Sequence, residues 1–131
     1  ESRGNDMAHA VLRGSVDKHG NNHTNYHYED LIELYDAYCN GGYQNPAVIV
    51  DTNHANSGKK YLEQIRIANE VLHAMRHSDN IKSMVKGLMI ESYIEDGCQK
   101  LEEGTYGKSI TDPCLGWEKT KELILGIARQ L

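Results

Sequence analysis

The sequence predicts an α/β fold, a parallel sheet in which each strand is followed by a helix. Two observations carry this. A short apolar run followed by a helical pattern occurs three times along the chain, and the runs AVIVD and GLMI are almost wholly apolar. Strands of that composition belong to a parallel sheet buried on both faces rather than to one with a wet side. A third observation sets the scale: the repeat is roughly 40 residues, the size of one strand–helix unit in an eight-unit barrel. Three strands cannot close a barrel, and an open sheet of three leaves two edges bare. The chain is therefore expected to be the end portion of a larger α/β protein.

The first unit opens with HAVLRG (9–14) as a strand and continues through a Gly/Asn/His-rich loop to a helix over EDLIELYDAYCN (29–40). Leu31, Leu34, Tyr35 and Tyr38 share one face of that helix, and Gly41 and Gly42 end it. The second unit pairs AVIVD (47–51) with a helix over about 59–77, whose core face is expected to be Leu62, Ile65, Ala68, Leu72 and Met75. In the third, KGLMIES (86–92) is the strand, a long polar loop follows, and a helix runs from about 114 to 130. Pro113 suits its opening, and Ile124, Ile127 and Leu131 form its apolar stripe.

A chain of 131 residues is enough for one domain. Its net charge of −5 argues against nucleic acid or an anionic membrane as a partner, since both select a basic face. An anionic small substrate stays open, because the local field of a pocket can oppose the net charge. No stretch approaches the roughly 18 apolar residues of a membrane span. ESRGND at the start carries neither an apolar signal core nor an initiator Met, so the chain reads as processed or as an excerpt. Cys39, Cys98 and Cys114 are odd in number and lack CxxC spacing, which reads as reduced thiols in a cytoplasmic protein.

In parallel α/β folds ligands bind at the carboxyl ends of the strands. Those ends carry Arg13 in the first unit, Asp51 and His54 in the second and Glu91 in the third, with Asp112 just before the last helix. An imidazole with two carboxylates is a plausible donor set for a divalent metal, and a guanidinium suits a phosphate or carboxylate. Blander readings exist for each. His54 could be a loop histidine, Arg13 an exposed strand-end arginine, and Asp112 a helix N-cap. Other features carry less. His19, His23 and His27 are four apart, but KHGNNHTNYH is rich in Gly and Asn and is expected to be a mobile loop. The GKS at Lys108 has Glu102 where a phosphate loop needs its first glycine. Lys59 and Lys60 are expected at the exposed start of the second helix.

HAVLRG, DTNHANSGKK, KGLMIESYIEDGCQ and YGKSITDPCLGW, in this order and spacing, resemble the C-terminal portion of the type I 3-deoxy-D-arabino-heptulosonate-7-phosphate (DAHP) synthases. The resemblance runs over essentially the whole chain. It implies the last three strand–helix units of a (β/α)8 TIM barrel, with residues 1–131 forming the C-terminal part of a single barrel domain. The activity it implies is condensation of phosphoenolpyruvate with erythrose 4-phosphate, releasing phosphate, at the first step of the shikimate pathway to aromatic amino acids. The family's divalent metal (Mn, Fe, Co or Zn) is held by a Cys, a His, a Glu and an Asp. By resemblance His54, Glu91 and Asp112 are three of these, the Cys is absent from this chain, and Arg13 contacts the phosphate of phosphoenolpyruvate. His54 also counts among the catalytic and phosphoenolpyruvate-binding residues on this reading.

Departures from the family pattern are Ser15 after LRG, Gly58 after HANS, and Pro113 after the TD pair. The resemblance further implies small phosphorylated substrates as partners, a homo-oligomer, and no nucleic acid or membrane. Most of the basic groups for the two phosphates lie in the family's first five units, so the chain alone is expected to be inactive. The competing class is a non-catalytic α/β fragment or partner subunit that binds metal or phosphate without turnover.

Overall fold

The computed structural model describes residues 3–131. Three strands, β1 (Ala10–Leu12), β4 (Val48–Asp51) and β5 (Val85–Met89), form a parallel sheet in the order β1-β4-β5. Between the first two lie a short antiparallel hairpin, β2 (Ser15–Val16) with β3 (Asn22–His23), and the helix α1 (Tyr28–Asn40). After β4 come a single helical turn, α2 (His54–Ser57), and the helices α3 (Glu63–His77) and α4 (Asp79–Met84). A 3-10 turn at Leu101–Glu103 and α5 (Trp117–Ala128) complete the order. The three expected strands lie side by side in one parallel sheet with β4 in the middle, so the strand–helix reading holds.

Register fixes which residues share a face. Leu12, Val50 and Leu88 form one row across the sheet, and Val11, Ile49 and Gly87 the next. Because side chains alternate along a strand, the two rows point to opposite faces. On the first face Val48, Val50 and Val85 pack with Leu31 of α1, Ile67, Val71 and Ala74 of α3, and Ile81 and Met84 of α4. Every one of these is buried. On the second face Val11 and Met89 remain exposed. The sheet is thus covered by helices on one face only, where the apolar strands led us to expect two. Arg13 and Asp51 continue the alternation of Val11 and Ile49, which puts both on the open side.

Several element readings are corrected by packing. The helix read over about 59–77 begins at Glu63, and the loop before it holds a helical turn of its own at 54–57. Leu62, assigned to the core, is half exposed, whereas Ile67 and Val71 are fully buried. The reason is that α3 buries two stripes. Ile67, Val71 and Ala74 meet the sheet, while Ala68, with Ile65 beside it, meets Leu115 and Leu123 at α5. In α5 the buried residues are Thr120 and Leu123, and Ile124 and Leu131 are exposed, so only a partly buried Ile127 survives of the expected stripe. That helix begins at Trp117, four residues beyond Pro113. Tyr35 and Tyr38 are core-packed as expected, and the Tyr38 hydroxyl donates to the Ala47 carbonyl at 2.9 Å.

The segment expected to be a mobile loop is the β2–β3 hairpin, closed by Asp17, which accepts from the backbone N–H groups of His19 and Asn21. Its histidines do not converge: His23 pairs with Asp17, and His27 with Glu70 of α3.

Candidate metal and anion site

Asp51 ends β4 and is 1% exposed. Burial of a carboxylate is tolerable only when its oxygens are satisfied. Oδ1 accepts the backbone N–H of Asn53 at 2.8 Å, and Oδ2 lies 2.6 Å from Nδ1 of His54. His54 opens the α2 turn with φ at 41°, in the left-handed region where a residue with a β-carbon is uncommon. With Nδ1 held by Asp51, Nε2 is aimed at the two other carboxylates. It stands 3.2 Å from Glu91 Oε1 and 3.5 Å from Asp112 Oδ2.

Glu91 lies two residues past β5, and its backbone is gripped from α3 by the fully buried Gln64. The Gln64 amide nitrogen donates to the Glu91 carbonyl at 3.0 Å, and its oxygen accepts the Glu91 N–H at 2.8 Å. Asp112 comes from the loop before α5. Lys59 Nζ sits 2.7 Å from its Oδ1, and that ammonium holds the carboxyl below the usual carboxylate range. Asp112 does not cap α5, since Gly116 occupies the cap position.

One donor atom each from His54, Glu91 and Asp112 falls within 4.8 Å of the others. An imidazole nitrogen and two carboxylate oxygens facing one point can share a proton on the ring or hold a cation between them. Donor type and spacing fit a small divalent ion of the hard-to-borderline kind. The Asp51 contact to His54 Nδ1 has the form of the carboxylate–histidine pairing that fixes ring orientation at metal sites.

Beside this cluster is a cleft of about 440 Å³ lined by Arg13, Gly14, Ser15, Asn22, His54 and Lys59, among others. Gly14 takes φ at 68°, and a β-carbon there would lie 2.6 Å from the His23 carbonyl, so the hairpin can close over the strand end only at glycine. A larger cavity of about 840 Å³, at the opposite end of β1 against Leu34, Ala37 and Tyr38, contains none of the candidate residues. The structure therefore brings His54, Glu91 and Asp112 to one point and sets Arg13 in the adjoining cleft. Sequence reasoning placed Asp51 among the strand-end candidates without a role of its own, missed Gln64, and put Lys59 at the start of a helix it does not join. The signal for Gln64 was present, because it occupies the buried stripe of Ile67 and Val71 at helical spacing.

The model of the DAHP synthetase I family matches residues 2–124. The chain belongs to this family. It is 33% identical over 132 residues to the Trp-sensitive phospho-2-dehydro-3-deoxyheptonate aldolase of Escherichia coli O6:H1, covering 98% of this chain and 35% of that protein. It is 36% identical over 126 residues to the phospho-2-dehydro-3-deoxyheptonate aldolase of Haemophilus influenzae, covering 94% of this chain and 32% of the relative. Among solved structures, phospho-2-dehydro-3-deoxyheptonate aldolase from Francisella tularensis SCHU S4 superposes with a TM-score of 0.84 at 27% identity, over 98% of this chain and 36% of that one. The chain thus spans about a third of the length of these DAHP synthetase relatives.

Proposed function

We propose that the chain forms the C-terminal, metal- and phosphoenolpyruvate-binding part of a DAHP synthase barrel, working as a carbon–carbon bond-forming transferase once the rest of the barrel is present. The observation that supports this most is the approach of His54, Glu91 and Asp112 to within 4.8 Å from two loops up to 58 residues apart. On this reading the three residues hold a divalent ion, with Mn, Fe, Co and Zn all compatible with the donors. When bound, the ion supplies Lewis acidity toward the aldehyde oxygen of erythrose 4-phosphate. Asp51 keeps the His54 ring turned toward the ion. Arg13, in the cleft alongside, offsets the phosphate charge of phosphoenolpyruvate and holds it in reach, which matters where two phosphorylated substrates share one mouth.

A cytoplasmic homo-oligomer is part of the same reading. No helix among the described residues is long and apolar enough to cross a membrane. Both β1 and β5 are edge strands to which further strands can add. The competing reading, a binding fragment without turnover, describes the chain when it stands alone: the open face of the sheet and the absent thiol ligand leave the site incomplete.

The decisive experiment is a phosphate-release assay with phosphoenolpyruvate, erythrose 4-phosphate and Mn²⁺. The chain alone should give no turnover, and the chain joined to the first five barrel units should turn over. Turnover by the chain alone would refute the fragment reading. Inactivity of the completed barrel would refute the synthase reading.

A further inference from the structure

We propose that Lys59 is the second cation of the cleft beside Arg13, serving a phosphate monoester there while it also holds Asp112. The inference rests on the phosphate-binding reading of that cleft and adds a residue to it.

Arg13 and Lys59 are the cleft's two fixed positive charges, and no carboxylate lines it. The remaining polar lining, Ser15 and Asn22, is neutral and able to donate. Among the described residues Arg13 has no carboxylate within ion-pairing distance, so its guanidinium is available to a ligand. Lys59 is committed only in part. An ammonium carries three N–H donors, and one suffices for Asp112 Oδ1 at 2.7 Å. The other two remain for an anion in the cleft.

The backbone shows how Lys59 gets there. Among the described residues only His54 and Lys59 have positive φ without being glycine, at 41° and 60°, and they are five residues apart in the same loop. The Lys59 N–H closes on the His54 carbonyl at 2.9 Å, and the left-handed turn sends the side chain back across the mouth to a residue 53 positions later. Glycine would adopt that backbone without strain. Lysine in its place carries a charge to the border between the anion cleft and the carboxylate cluster, where it serves both.

The test uses this chain, with inorganic phosphate as the probe, titrated at low ionic strength and followed by ³¹P NMR, with thermal unfolding recorded in parallel. Lys59→Gly should weaken phosphate binding about tenfold or more, as expected for loss of a charge-assisted bond, while the melting temperature holds or rises. Lys59→Arg should stay within about threefold of wild type, because its fork also donates to phosphate. Lys59→Gln, which keeps the β-carbon and loses the charge, should match Lys59→Gly. That agreement separates charge from backbone effects should the glycine variant fold poorly. Wild-type affinity in both Lys59→Gly and Lys59→Gln, with Arg13→Ala weakened, would overturn the role of Lys59 and leave the cleft reading standing. Equal affinity of wild type and Arg13→Ala, or no binding by wild type, would overturn the cleft reading and this inference with it.

Discussion

Two connections supply the candidate site, and they are built differently. The one after β4 is short and its first half is nearly closed to water, with Asp51, Thr52, Asn53, Asn56 and Ser57 all buried. Each of their side chains is bonded. Ser57 donates to Asn53 Oδ1 at 2.7 Å, Asn56 donates to the Leu12 and Asp51 carbonyls, and the Thr52 hydroxyl lies 2.9 Å from the Met89 carbonyl. The connection from β5 to α5 is long and largely exposed. It is held by isolated bridges at Ser92–Leu115, Gly97–Cys114 and Cys98–Ser109. Yet it carries both carboxylates. Glu91 takes its place from Gln64 of α3, and Asp112 is held by Lys59 of the first connection. The long loop therefore borrows its precision from the short one.

If so, damage to the short connection should be the more severe. His54→Ala should show the largest effect, with Mn²⁺ affinity of the chain down by more than the ~10–100-fold typical of losing an outer-shell partner. Counting free Mn²⁺ by electron paramagnetic resonance measures it. Unchanged affinity would mean that the two loop carboxylates hold the ion unaided, and the asymmetry would collapse.

Stability sharpens the same contrast. Asn56 bonds the Leu12 and Asp51 carbonyls and accepts the Asn25 N–H at 3.0 Å, joining β1, β4 and the strand-end hairpin from a buried position. Asn56→Ala leaves these groups unserved and should cost about 3 kcal/mol, at ~1–3 kcal/mol per buried unsatisfied group. Gln99 makes a comparable set in the long loop, to the Thr105 and Lys108 carbonyls and the Thr105 N–H, but near solvent. Water replaces those bonds, so Gln99→Ala should cost about 1 kcal/mol or less. Urea denaturation of the two variants compares them directly, and equal costs would break the contrast.

Asp51→Asn comes next. The variant keeps the size of the side chain but presents an amide where His54 Nδ1 has a carboxylate oxygen at 2.6 Å. Metal affinity should fall ~10–100-fold, with the Asn53 N–H still served by the remaining oxygen. An Mn²⁺ titration with unfolding measured alongside separates a turned imidazole from a disrupted β4.

How much of this was legible in the sequence depended on the range of the physics. Strands and helices follow from local periodicity, and β1, β4, β5, α1 and much of α3 were readable from it. The short α4 was not, although Ser78, whose side chain accepts the Ile81 N–H, is an N-cap signal. Six residues carry too little periodicity to notice. The buried face of α3 was read in part: Ala68 and Leu72 are buried and Ile65 and Met75 pack on the core, while Leu62 is exposed and the adjoining stripe of Ile67 and Val71 went unread, because two stripes overlap where α5 lies alongside. At the site, the DTNHANS, IES and TDP stretches named the groups that converge. Asp51, Gln64 and Lys59 act through side chains that reach from 3 to 53 residues along the chain; strand-end position marks Asp51 and helical spacing marks Gln64 as buried, but their partners are set only by the fold. For Lys59 the decisive fact is a left-handed backbone at a non-glycine residue, which sequence does not announce.

The smallest effect expected lies at the far end of the long connection, where Asp96 does for α5 what the buried polar groups do after β4. One of its oxygens accepts the Gly116 N–H at 2.7 Å, at the start of the helix, and the other pairs with Lys119 in its first turn. The Lys119 ammonium, with help from the Gly116 N–H, holds the Asp96 carboxyl below the usual carboxylate value. The sign follows from linkage. A carboxyl whose folded pKa lies below its unfolded value of about 3.9 contributes its full stability above that value and loses it as pH falls toward the folded one. Asp96→Asn should therefore cost about 1 kcal/mol near pH 7, a modest sum because the pair is partly exposed and screened. The difference from wild type should shrink below about pH 4 as both side chains become neutral. Urea denaturation at pH 7 and again near pH 3 reads both quantities. A difference that stays constant with pH would show that the shape of Asp96 matters rather than its charge, and the end of the long loop would then be held by packing.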